Sequence, residues 1–129
     1  MKEIYEFLKL KGFHLLKSNK TNSFGNYYDI FANDIFAIRF IRDKSITTID
    51  VQSVFGDKKL WYDLALVKNL MQGETQLNYV MTIEQYIDFL KNYIDNIGAL
   101  FDRDNYLLTE NELEKLKNER TKQMFPWIK

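Results

Sequence analysis

The 129-residue chain has no cysteine, one histidine, one proline and five scattered glycines. Without cysteine it can form no disulfide, carries no thiolate nucleophile and offers no zinc-finger ligand set. A single histidine excludes multi-histidine metal sites. His14, spelled between Phe13 and Leu15, reads as a surface or half-buried strand residue. None of the glycines falls in a GxxxxGK phosphate loop, and no serine sits in a nucleophile elbow. Apolar runs such as Ile35 to Ile38 and Leu64 to Val67 are far too short to span a bilayer. The opening MKEIYEFLKLK interleaves charge with apolar residues and lacks the unbroken apolar core of a signal peptide. These absences lead to the expectation of a cytoplasmic protein with no membrane contact, no cofactor, no bound metal and no catalytic residues.

What is present is a core. Hydrophobic residues make up 46% of the chain and aromatics 16%, enough to bury a core rather than stay disordered. Length and the lack of a linker predict one domain over residues 1–129. Formal net charge is zero, from 18 basic and 18 acidic residues, so nucleic acid is an unfavoured partner. The charge is unevenly spread. Residues 1–73 carry eleven Lys/Arg against eight Asp/Glu, 74–114 carry two against nine, and 115–129 carry five against one. The middle segment, at −7, is the largest charge feature.

Tyr27 to Val54 reads as three consecutive strands with turns at Asn33-Asp34 and Asp43-Lys44. With Asp43 and Lys44 as the central pair, Phe36 faces Val51, Ile38 faces Ile49 and Phe40 faces Thr47. Ala37 then faces Asp50, Arg39 faces Thr48 and Ile41 faces Ile46 on the other side of the sheet. A one-residue slip would place Asp50 and Gln52 among the phenylalanines, which specifies the faces well. For the first turn, a three-residue loop puts Tyr28 and Ile30 beside Phe36 and Ile38, whereas a two-residue loop puts Tyr27, Asp29 and Phe31 there. The former is preferred because it keeps Asp29 off the apolar face and places it with Arg39 and Asp50.

Before these strands, Lys2 to Lys11 reads as a helix with Ile4, Phe7 and Leu8 inward, stopped by Gly12. Phe13 to Ser18 reads as a strand with Phe13 and Leu15 on one side, and Asn19 to Asn26 as a loop. After Gly56 the period lengthens to about 3.6, with Leu60, Leu64, Val67 and Met71 in one stripe closed by Gly73. Thr82-Ile-Glu-Gln85 spells a capping box that opens a long helix with Ile83, Tyr86, Ile87, Leu90, Ile94, Ile97 and Phe101 inward. Thr109-Glu-Asn-Glu112 spells a second, opening a polar helix on Leu113 and Leu116. The predicted class is α+β: an antiparallel sheet of about four strands with an N-terminal helix and three C-terminal helices packed on it. The core should contain Phe36, Ile38, Ile49, Val51, Leu64, Val67, Leu90, Ile94 and Ile97.

Three features bear on function. Glu84, Asp88 and Asp95 fall on the polar side of the long helix, relieved by Lys91, with Asp102 and Asp104 just beyond. As a protein-binding face they would steer a basic partner; as an ordinary helix face they would simply be solvated. The second is the trio Asp29, Arg39 and Asp50, a secondary site or an ion-paired sheet face. Third, the tail Met124-Phe125-Pro126-Trp127-Ile128 should fold back over an edge of the core, or else anchor a partner. Self-association is compatible with all three.

Two resemblances attach to these residues. Asp50-Val51-Gln52 in ITTIDVQSV, with Asp29 or Asp34 on the preceding hairpin, resembles the PD-(D/E)xK nuclease superfamily. That resemblance implies two carboxylates holding a divalent metal that activates water. Gln52 stands where that superfamily has lysine, and no proline precedes either aspartate. The leading helix, the hairpins in GNYYDIFANDIFAIRFIRDKSITTIDVQSV and the helix in KLWYDLALVKNLM are similar to small immunity-type proteins of bacterial polymorphic-toxin systems. That likeness covers about residues 1–73. It implies a non-catalytic protein that binds and occludes one toxin domain, often a basic one, and it carries over no contact residue. This non-catalytic reading is the leading expectation, and the nuclease is the alternative.

Overall fold

A computed structural model describes residues 1–20 and 26–127. Its order is α1 (Lys2–Leu10), β1 (His14–Lys20), β2 (Tyr27–Ala32), β3 (Phe36–Asp43), β4 (Ile46–Ser53), β5 (Tyr62–Asp63), α2 (Leu64–Gln72), α3 (Ile83–Phe101) and α4 (Tyr106–Met124). The five strands form one antiparallel sheet in chain order. The architecture is the expected α+β, with one strand more than expected. Most of the expected Asn19–Asn26 loop lies outside the described residues, as do Ile128 and Lys129 of the tail.

The second hairpin turns on Lys44-Ser45 rather than Asp43-Lys44. Both residues have positive φ, 51° and 70°, the pattern of a type I′ turn, and Asn26 Oδ1 accepts the Lys44 N–H at 3.0 Å. Moving the turn by one residue moves the pairing by two. Ile38 therefore faces Val51, Phe40 faces Ile49, Phe36 faces Ser53, Arg39 faces Asp50, Ala37 faces Gln52 and Ile41 faces Thr48. Each residue keeps its expected face. The realised register sets aromatic against β-branched residues and a cation against an anion, pairs that stabilise a sheet.

The first turn corrects the sequence expectation. Ala32 pairs with Ala37, and Asn33 Oδ1 accepts the N–H groups of Ile35 and Phe36, each at 2.9 Å. This asparagine-centred turn keeps the parity of the two-residue alternative, so Asp29 faces Phe40 and Phe31 faces Ile38. Asp29 is buried within the helix-covered layer, away from Arg39 and Asp50. Its carboxylate accepts the hydroxyls of Tyr5 and Ser18, which meets the requirement that a buried polar group be bonded. Burial and the neighbouring Asp29 push the Tyr5 phenol well above its ordinary range.

In β1 the register shifts between Leu15 and Lys17. Phe13 is buried, while Leu15 and Leu16 are exposed along with the whole strand, His14 included. Helix α2 starts at Leu64, later than the Leu60 stripe suggests. Tyr62-Asp63 pairs with Asp50-Val51 as the fifth strand, and Asp63 caps the helix by accepting the Ala65 N–H at 2.9 Å. Gly73 closes it with φ 63°. The Thr82–Gln85 capping box is formed. The Thr109 box is not: α4 begins at Tyr106, and buried Thr109 donates its hydroxyl to the Leu100 carbonyl at 2.6 Å. The turn from Asp102 to Asn105 starts the helix early, because Asp102 Oδ1 accepts the N–H groups of Asp104 and Asn105.

All nine expected core residues are buried, none more than 5% exposed. They join Phe31, Phe40, Tyr62, Phe89, Phe101 and Leu113 in one cluster between the sheet and the helices. Burying such a side chain contributes about 1.5–3 kcal/mol.

Candidate functional site

Burial alternates along β3 and β4. Ile38, Phe40, Ile49 and Val51 are fully buried, whereas Arg39, Ile41, Thr48, Asp50 and Gln52 between them are half-buried. The core helices therefore pack on one face of the sheet; the opposite face of β2, β3 and β4 is half-buried, with Ala37 buried and Thr48 sharing a pocket with residues 77–81, Tyr86 and Arg120. Tyr28 and Ile30 of β2 stand in register with Ile41 and Arg39 on that face. None of Tyr28, Ile30, Ile41 and Trp61 belongs to or packs against the core cluster.

A polar seam runs from the centre of this face to its β5 edge. Arg39 Nη2 meets Asp50 Oδ2 at 2.7 Å, and its guanidinium lies 4.4 Å from the Trp61 ring centre. Arg39 Nε is buried with no hydrogen-bond partner among the described residues. Asp50 faces Asp63 across β4 and β5. Arg120 of α4 pairs with Asp63 at 3.0 Å, and the Tyr86 hydroxyl donates to Asp63 at 2.7 Å. Burial pushes the Asp50 carboxyl above the usual range, Arg39 opposes this and Asp63 adds to it. Burial and the Asp63 charge hold the Tyr86 phenol far up. Each acid thus has its own arginine. Only Arg39 and Asp50 of this seam stand out in the sequence. Asp63 had a signal, a capping residue type immediately before an apolar run, but Tyr86 and Arg120 reach it from distant helices and had none.

The structure brings Arg39 and Asp50 together and leaves Asp29 on the other side of the sheet. Asp29 and Asp50 cannot share one ion, and Gln52 is turned to the Lys59 carbonyl at 2.6 Å. No group of three or more His, Asp or Glu side chains converges for a metal among the described residues. The arrangement that the nuclease resemblance requires of Asp29 and Asp50 is not formed.

Glu84 and Asp88 are exposed one turn apart on one side of α3, and exposed Asp95 follows a kink at Tyr93 (φ −124°, ψ 19°). The side is not purely negative. Lys91 lies between them, and Lys11, which caps the end of α1, approaches Asp95 at 3.7 Å. Asp102 is half-buried and committed to its turn, while Asp104 is exposed. The tail departs from the expected fold-back: Phe125 is 40% and Trp127 73% exposed, their rings packed edge-to-face at 5.6 Å.

A cleft of about 470 Å³ opens between the residues following β4 and helix α4. Leu60, Tyr106 and Leu107 line it, with Glu110 and Glu114 one helical turn apart. Glu114 accepts the Tyr62 hydroxyl at 2.6 Å. Burial, then the charge of Glu114, pushes the Glu110 carboxyl above its usual range. No sequence pattern marks this pair.

No protein-family model, curated protein or solved structure matches this chain. No helix among the described residues is long and apolar enough to cross a membrane.

Proposed function

We propose that the chain is a non-catalytic protein-binding module that docks through the sheet face opposite its core, and that it acts as a cytoplasmic immunity protein by occluding a toxin domain. The observation carrying this reading is that half-buried Tyr28, Ile30 and Ile41 stand on the sheet face opposite the core, with Trp61 against Arg39, and that none of the four packs on the core cluster. Tyr, Trp and Arg dominate the energetics of protein interfaces, and a half-covered sheet offers them already ordered, which limits the entropic cost of binding. The Arg39–Asp50 pair fixes the centre of this surface and leaves little free charge on it. Glu84, Asp88 and Asp95 add long-range attraction for a basic partner, weakened by Lys11 and Lys91.

The test is co-expression with the product of the neighbouring reading frame. Wild type should restore growth and form a stable complex. The double variant Tyr28→Ala/Ile41→Glu should melt as wild type does, lose affinity by roughly 100-fold and fail to rescue. Rescue undiminished by this variant would remove the sheet face as the docking surface.

A further inference from the structure

We propose that two copies of this chain associate by exchanging their C-terminal tails, Trp127 of each seating in an apolar pocket beside β5 of the other and Phe125 packing at its rim. The contact goes beyond the sheet-face reading and does not rest on it. The pocket has a volume of about 270 Å³. Ala65, Leu77, Val80, Met81 and Met124 supply its apolar wall. The only charged groups on that wall among the described residues, Asp63 and Arg120, pair with each other at 3.0 Å. Tyr86 donates its hydroxyl to the same acid. No charge is left for a guest to neutralise, so the lining selects a neutral, apolar side chain. An apolar cavity of about 150 Å³ takes up benzene, so this larger one has room for an indole ring.

The chain carries such a ring next to the pocket. Helix α4 ends at Met124, itself a wall residue, and Trp127 follows three positions on. Gln123 ties this end of the helix to the pocket's other wall, accepting the Leu77 N–H at 2.7 Å and donating to the Thr75 carbonyl at 2.8 Å. Trp127 is nevertheless absent from its own pocket and 73% exposed, and Val80 and Met124 stand 86% and 50% exposed at the rim. Donor and acceptor thus lie at one end of the molecule. A two-fold axis passing near Met124 lets each copy fill the other, which closes the assembly as a dimer rather than a filament. With about 150–250 Å² per aromatic ring, covering Val80, Met124, Phe125 and Trp127 on both copies buries on the order of 1,000 Å². That area belongs to a weak, specific contact. Residues 115–129 carry five Lys/Arg against one Asp/Glu, so like charges meet across the axis and added salt should tighten the dimer. Docking steered by the α3 acids has the opposite salt dependence.

The test is sedimentation velocity of the full chain from roughly 10 μM to 1 mM, with an isotope-filtered NOE experiment on mixed labelled and unlabelled copies. Wild type should pass from monomer to dimer with a dissociation constant on the order of 100 μM. The dimer should tighten severalfold between roughly 0.05 and 0.5 M NaCl. Trp127→Ala should melt as wild type does, because the ring is exposed, and should weaken the dimer at least about tenfold. Val80→Glu, on the exposed rim, should do the same. Filtered NOEs should run from the Trp127 ring of one copy to the Val80 and Met81 methyls of the other. A monomer at every concentration would overturn the proposal. So would a dimer indifferent to Trp127→Ala, which would assign self-association to another face. NOEs from Trp127 to the pocket that arise only within one chain would also overturn it, since the tail would then cover its own pocket. The assay contains no other protein, so its failure leaves the sheet-face reading to be judged by the rescue experiment.

Discussion

Asp50 and Asp63 face each other across two strands, and Glu110 and Glu114 stand one turn apart on a helix, yet the two pairs are neutralised in opposite ways. Asp50 has Arg39 at 2.7 Å and Asp63 has Arg120 at 3.0 Å, with Tyr86 bonded to the same acid. The glutamates have one tyrosine hydroxyl between them and no ion pair among the described residues. A half-buried carboxylate needs a cation, hydrogen bonds or a proton. In the first pair the chain supplies the cations, and the charge ties together β3, β4, β5 and α4. In the second, Lys58 and Lys117 line the same cleft without closing an ion pair, and Lys58 only partly offsets burial and the charge of Glu114 at the Glu110 carboxyl. The acids of the sheet face therefore read as structural, and in the proposed docking its aromatic and aliphatic residues would make the contact.

Variants can break this contrast. The largest effect should come from Asp50→Ala, which strands a half-buried arginine and should cost about 2–4 kcal/mol, read as a lower urea midpoint with unchanged slope. Arg39→Met/Asp50→Leu should recover most of that loss, because a matched apolar pair leaves no charge stranded. A neutral Asp50→Ala would mean that the seam is not compensating charge at all. Next is Asp63→Ala, which removes the α2 cap and the partners of Tyr86 and Arg120; about 2 kcal/mol is expected in the same assay.

The glutamate pair should behave oppositely. The folded carboxyl of Glu110 titrates above its unfolded value, so the fold holds that proton more tightly. The stability it contributes is fully present below the ordinary carboxylate range and is lost as the pH rises through the raised value. Glu110→Gln should therefore stabilise the fold slightly at pH 7, by less than about 0.5 kcal/mol, and the gain should vanish near pH 3. Thermal melts at the two pH values check this, and a destabilised Gln variant at pH 7 would mean that Glu110 has a partner after all. The smallest effect on the fold should come from Asp88→Lys/Asp95→Lys, within about 0.5 kcal/mol of wild type. The same change should slow association with a basic partner and flatten its salt dependence. An unchanged association rate would remove the α3 acids from the binding account.

How much of this was legible in the sequence follows the range of each interaction. Periodicity identified the core and the faces of Phe36 to Ile41 and Ile46 to Gln52, because side chains alternate strictly along a strand. It misplaced the register by two, since Lys44 and Ser45 adopt positive φ without the glycine or asparagine that usually marks such a turn. The position of Asp29 was misjudged because its two partners, Tyr5 and Ser18, come from other elements and only together make burial of the acid acceptable. The Thr109 capping box failed for a related reason: a tertiary bond to Leu100 claimed the hydroxyl that the local motif would have used. The candidate surfaces were half legible. Arg39 and Asp50 were visible as a charged pair amid apolar alternation, whereas the Glu110–Glu114 cleft exists only once α4 lies against Tyr62 and Gly56.

Methyl cross-saturation NMR on the complex with the product of the neighbouring reading frame probes the docking surface without altering it. The Ile30 and Ile41 methyls should lose intensity strongly, while buried Ile49 and Ile94 on the helical side keep theirs. Unattenuated Ile30 and Ile41, with the losses falling on α1 and α3 instead, would contradict docking through the open face of the sheet.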